Sequence, residues 1–247
     1  MLFNTLYYIK YFIMETITSD LHIEEQNLES YENGSALPRR SFFKFAALGV
    51  AGLAISTSAC KLNQRAMGYK LGSGDFAILN MAYALEQMEA AFYTKVTDDW
   101  YPGATEMEKD LITDIRNNEI AHREWFRRAL FLKKLPQLEF DFSSINFKSR
   151  NSVLNTAKEI EDTGVSAYNG AGQYLKVGAF LQQAGDIVSV EARHVATIRN
   201  LISFGDYAGS DVIDINGLDG ARKPQEIIKL TAKFFKTPLD GSELPNA

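Results

Sequence analysis

Cysteine is nearly absent from these 247 residues: there is one, Cys60. A disulfide within the chain is excluded, and so is a thiolate zinc cluster. Histidine is almost as scarce, with three: His22, His122 and His194. Any metal held by the chain must therefore be gripped mainly by carboxylates, with a few imidazoles. Long basic runs are missing outside the N-terminal leader and the net charge is −5, so no nucleic-acid partner is expected. The uncharged run from Phe45 to Ala59 is too short to span a bilayer comfortably as a mature helix. What remains, 46% hydrophobic and 23% charged residues, is the composition of an ordinary soluble globular domain.

Residues 1–60 read as a leader. Arg39 and Arg40 stand side by side, Phe42, Phe43 and Lys44 follow, and then comes the apolar run. A basic end, an apolar middle and small residues before a cut are the shape of a signal peptide. The pattern resembles a twin-arginine export signal. The run ends in Ser58-Ala59-Cys60, which resembles a lipobox whose cysteine is lipidated, although Thr57 stands where such boxes usually carry an aliphatic residue. The competing readings are an uncut apolar anchor and a signal cleaved nearby. The expectation is an exported chain, periplasmic or outer-envelope, that touches a membrane only through a lipid on Cys60. Met14 is an alternative start to Met1, residues 1–36 are expected to be disordered, and 61–73 reads as a linker.

Beyond the leader the apolar spacing is helical. The first helix is expected from Asp75 to about Thr97, capped by Ser73 or Asp75. The second runs from about Thr105 to Lys133, with acidic residues at its start and lysines at its end, as the helix dipole favours. The third spans about Arg150 to Leu175 and the fourth Val177 to Ser203. Gly170, Gly172, Gly178 and Gly185 blur the boundary between those two. A loop-like stretch follows, then a short amphipathic helix within PQEIIKLTAKFFK. The bundle with its extension is placed at 74–236, with a tail at 237–247. Helix 2 would be on the order of 40 Å long, and the segment 134–149, which lacks helical periodicity, reaches roughly 50 Å when extended. That is enough to cross the whole bundle, whereas an up-down-up-down bundle needs only a short turn there. The fold expected is therefore an all-α four-helix bundle with one long crossover between helices 2 and 3, plus a short C-terminal helix.

The second and fourth helices each carry Glu-x-x-His: Glu119 with His122, and Glu191 with His194. The first and third each carry Glu-x6-Tyr: Glu86 with Tyr93, and Glu161 with Tyr168. The chain thus holds two copies of one helix–turn–helix unit. Arg127 and Arg199, five residues after each histidine, extend the match and read as surface or helix-end charges. Residues three apart share a helix face, so a Glu and a His so spaced can grip one ion together. With seventeen glutamates in the chain, two such pairs among three histidines arise by chance in about 1–2% of sequences. Two-fold packing of the halves would gather four carboxylates and two imidazoles, a set that suits two divalent iron or manganese ions. Glu89 is the rival to Glu86. Glu86 is preferred because only it reproduces the spacing of helix 3, where Gly164 takes the place of Glu89. Tyr93 and Tyr168 stand as hydrogen-bond partners or redox neighbours of ligating carboxylates, or else as core packing.

The segments ALEQMEAAFY, NNEIAHREWF, EDTGVSAYNGAG and SVEARHVATI, in that order and followed by PQEIIKLTAKFF, resemble the ferritin-like di-iron carboxylate proteins. Within that superfamily they are similar to exported ferritin-like domains that include plant desiccation-related proteins. The resemblance covers about residues 72–236. It implies Glu86 and Glu161 as single-helix ligands, Glu119–His122 and Glu191–His194 as paired ligands, and a bridging role for Glu119 and Glu191. It implies two Fe ions, with Mn as the alternative, and O2 or peroxide as reactant. The activity implied is ferroxidase-, peroxidase- or catalase-like. A reading of another class is a non-catalytic stress-related binding or structural protein whose metal only stabilises the bundle. A homodimer is compatible with either.

Overall fold

A computed structural model of the protein describes residues 68–245. The export signal, the lipidation expected at Cys60 and the disorder expected over residues 1–36 fall outside the described residues. Within them the chain forms β1 (Tyr69–Lys70), α1 (Asp75–Asp98), α2 (Glu106–Leu130), α3 (Arg150–Gly172), α4 (Gly178–Ile202), α5 (Pro224–Thr231) and β2 (Leu239–Asp240), with 3-10 turns at Phe131–Lys133 and Ala232–Phe234. This is the all-α four-helix bundle with a C-terminal helix that the apolar spacing predicts.

α1 is apolar around most of its circumference and is the innermost helix; nearly every residue from Ala77 to Ala90 is buried. Such a helix needs cover on all sides. α2 and α3 supply part of that cover, and the crossover supplies the rest. Two amides on one face of α1 bolt the crossover down. Asn80 donates from Nδ2 to the carbonyls of Leu71 and Lys133 and accepts from Leu135 N at 2.9 Å. Gln87, two turns on, donates to Pro136 O and accepts from Leu138 N at 2.9 Å. Further along, Phe140 and Phe142 pack with Phe92, Phe234 and Phe235, which joins the crossover to the C-terminal helix. Hydrogen bonds pair Glu86 with Tyr168 and Tyr93 with Glu161, so α1 and α3 run antiparallel. α2 and α3 therefore run parallel, and only a connection of bundle length can join them.

The start of α1 differs from expectation. Neither Ser73 nor Asp75 caps it; Gly74 occupies that position without a side-chain cap. The Asp75 carboxylate instead accepts from Lys176 N and, at 2.8 Å, from Val177 N, closing the turn that leads into α4. Thr105 does cap α2, in a reciprocal box with Glu108. Glu108 also accepts from Arg150 Nε at 2.6 Å, while Arg150 Nη2 donates to Leu201 O. One arginine thus ties the start of α2 to the start of α3 and the end of α4. β1 and β2 pair in parallel, Tyr69 opposite Leu239, joining a segment expected as linker to one expected as tail.

Candidate metal centre

Glu86, Glu119, Glu161 and Glu191 come from four different helices and are all fully buried. The reason is periodicity. Each lies on the stripe of its helix that also carries core residues, among them Leu85 and Met88 on α1, Ile112 and Ile115 on α2, and Ile160 on α3. A stripe that packs inward carries its polar members inward too. His122 and His194 follow their glutamates by one turn, with side chains 12% and 5% exposed.

These side chains make two overlapping groups. Glu86, Glu119, His122 and Glu191 offer ligand atoms that all lie within 4.8 Å of one another; so do Glu119, Glu161, Glu191 and His194. Glu119 and Glu191 belong to both. His122 Nδ1 lies 2.8 Å from Glu191 Oε1, 3.4 Å from Glu86 Oε2 and 3.5 Å from Glu119 Oε2. His194 Nδ1 lies 2.6 Å from Glu119 Oε1, 3.4 Å from Glu191 Oε2 and 3.6 Å from Glu161 Oε2. The two sets of distances repeat each other with the halves exchanged. Yet both Nδ1 atoms, both oxygens of Glu119 and Glu191, Glu86 Oε2 and Glu161 Oε2 lack an aligned hydrogen bond. The atoms are close but do not point at one another as donor and acceptor. They converge on the space between them, as donors around a cation do, and buried polar atoms left this way are otherwise costly. Four carboxylates and two imidazoles fit two divalent ions of the iron–manganese class.

The tyrosines brace this arrangement crosswise. Tyr93 OH donates to Glu161 Oε1 at 2.5 Å, and Tyr168 OH donates to Glu86 Oε1. Each phenol thus holds the carboxylate of the other half, leaving that carboxylate's second oxygen facing inward. The shared seven-residue spacing shows which residues belong together, but not that the bonds cross between helices. An imidazole that ligates through Nδ1 carries its proton on Nε2. Asn118 Nδ2 lies 3.1 Å from His194 Nε2; for Nε2 to carry the proton, the amide would have to turn about its plane and present Oδ1. Asn118 escapes sequence reasoning because the equivalent position in the second half is Val190. Glu86 joins the cluster, as preferred. Glu89 is 1% exposed and adjoins it, but belongs to neither group.

Arg127 is a surface charge paired with Glu124. Arg199 stands in the last turn of α4, as the helix-end alternative has it, but it is not at the surface. It is buried to 2% and binds Asp162 on α3 and Asp211 in the loop after α4. One partner is next to Glu161 in sequence and the other lies in an irregular loop, so no spacing rule could pair them.

Burial sets the electrostatics. It raises Glu86 and Glu119, and the Glu191 charge adds to both. It also raises Glu161, to about 7. Burial works against the charged histidines too, but the surrounding carboxylates overcome it, pushing His122 up to about 12 and His194 far above its ordinary value. Glu191 is opposed by burial yet is drawn down to about 2 by the two imidazoles. Without ions, burial thus favours the neutral form of Glu86, Glu119 and Glu161, while the surrounding carboxylates favour charged imidazoles.

Beside the cluster, between α1, α2, the end of α3 and the start of α4, lies a small apolar cavity bounded by Leu85, Trp125, Phe126 and Tyr168.

The family model described as a ferritin-like domain matches residues 74–203, from the cap of α1 to the residue after α4. Among curated proteins, none matches the chain.

Proposed function

The chain belongs to the ferritin-like domain family, and on that premise we propose that it is a di-metal carboxylate protein, most simply di-iron, that oxidises Fe2+ or consumes O2 or peroxide. The observation that carries the proposal is the convergence of eight buried, unpartnered donor atoms from Glu86, Glu119, His122, Glu161, Glu191 and His194. Glu86 and His122 would hold one ion, Glu161 and His194 the other, with Glu119 and Glu191 shared between them. Manganese fits the same donors. A bound pair of such ions supplies the redox equivalents that O2 or peroxide chemistry needs. The chain's own contribution is to position and to exclude. Tyr93 and Tyr168 orient Glu161 and Glu86, Asn118 contacts the outer nitrogen of His194, and the buried surround keeps bulk water away. His122, the more exposed imidazole, marks the side nearest solvent. The proposed setting is the cell envelope, supported by the twin-arginine pattern and the Ser58-Ala59-Cys60 stretch, since that export route carries folded, already loaded proteins.

The test is iron content together with oxygen or peroxide consumption after Fe2+ addition, compared between the wild type and a Glu119→Ala/His194→Ala double variant. Two ions per chain and consumption lost in the variant are expected. Equal rates would remove the catalytic claim. Two bound ions, a raised melting point and no turnover would favour the structural reading, which the origin of each ion's ligands in both halves of the chain supports.

A further inference from the structure

Glu89 has no place in the six-residue set. It lies one turn beyond Glu86, is 1% exposed, and its Oε1 has no hydrogen-bond partner. A carboxylate so placed is a liability unless something comes to it.

Its position along α1 shows what that something is. α1 and α3 are antiparallel, and their facing residues form three rungs. Glu86 meets Tyr168 at one end, and Tyr93 meets Glu161 at the other. The middle rung is Glu89 against Gly164. A Cβ built on Gly164 would stand 3.0 Å from Glu89 Oε1, and beyond its own stretch of α3 it would meet only the Glu89 carboxyl group within 4 Å. The two-fold relation that exchanges the halves takes Glu86 to Glu161 and Tyr93 to Tyr168; it takes Glu89 to Gly164. The middle rung is thus the one nearest the pseudo-two-fold axis, between the two ion positions. A side chain at Gly164 would crowd the Glu89 carboxyl group. The first half fills it with a carboxylate and the second leaves it empty.

We propose that Glu89 is a seventh ligand and the fifth carboxylate, added from the α1/α3 side near the axis between the two ions, and that Gly164 is the space left for it. The proposal rests on the di-metal reading above and deepens it: six donors come in equivalent pairs, and the seventh makes the two ion positions unequal.

The experiment uses the full chain, stripped of metal and titrated anaerobically with 57Fe2+, following affinity by chelator competition and coordination by Mössbauer spectroscopy. Wild type, Glu89→Gln and Gly164→Ala are compared. Wild type is expected to bind two ions with resolved, inequivalent ferrous signals. Glu89→Gln is expected to lose at least about tenfold in affinity, a loss seen even for groups one step removed from a metal, with the two signals drawn together. The same variant should raise the melting point of the metal-free protein, because it removes a buried carboxylate. Gly164→Ala retains the carboxylate but crowds it, so affinity should fall in the same direction; it carries the test should Glu89→Gln fold poorly. If both variants match wild type in affinity and spectrum, Glu89 is core filling and the proposal is overturned. If wild type itself binds no iron, the di-metal reading falls, and this one with it.

Discussion

Glu191 apart, the buried carboxylates at the cluster would make opposite demands in the empty protein and in one loaded with ions. Glu86, Glu89, Glu119 and Glu161 all have raised pKa values, chiefly through burial, with Glu161 at about 7. A group whose folded pKa exceeds its unfolded value, about 4.3 for Glu, stabilises the fold fully below the unfolded value. That contribution drains away as pH rises through the folded one. The metal-free protein should therefore be more stable at pH 5 than at pH 7.5. Ion binding reverses the sign, because ions compete with the same protons and gain affinity as pH rises. Melting points with chelator and with Mn2+ at the two pH values check this. The same ordering in both conditions would contradict it. At this scale the six clustered side chains were legible in the sequence because residues three apart share one helix face. Asn118, the burial of Arg199 and the placing of Glu89 opposite Gly164 were not. Each depends on what another helix or loop places opposite, and spacing within one helix carries no record of that.

Helices were legible because burial stripes repeat with the turn of the helix, and the crossover because a long non-periodic segment between two long helices has to travel. The cap of α1 was misread because the same aspartate can serve its own helix or a turn about a hundred residues away; tertiary contact decides between them. Gly170 is another element-scale case. In sequence it is one of four glycines that blur the α3/α4 boundary; in the structure it lies near the end of α3 for a packing reason. A Cβ there would stand 1.8 Å from the Arg222 carbonyl oxygen. Arg222 N donates to Ser166 O and its Nη1 to Ser166 Oγ, while Asn169 Nδ2 donates to Gly220 O. The strap after α4 is thus laid directly on α3. Gly170→Ala should cost roughly 1–3 kcal/mol through overpacking. Gly172→Ala, whose Cβ meets only Leu181 Cδ1 at 3.5 Å, should be close to neutral. Urea denaturation of the two variants decides, and equal midpoints would remove the strap from the account.

For the whole molecule, the contacts of α1 with α2 and of α3 with α4 are far denser than those of α1 with α3 or α2 with α4. The bundle is two tight hairpins joined face to face, and both donor groups draw on both hairpins. Ions should therefore act mainly on the seam between them. A chain cut between Ser143 and Ser144, which are exposed in the crossover, should still elute as one species with Mn2+ bound and come apart at lower urea once the metal is chelated. Equal urea dependence with and without metal would place the hairpins' cohesion elsewhere. Such a molecule carries the geometry of a homodimer inside a single polypeptide. A true homodimer must write the same residue on both sides of its diad, so glutamate facing glycine is closed to it. Covalent fusion leaves each copy free to differ, as it does at Glu89 against Gly164 and at Asn118 against Val190.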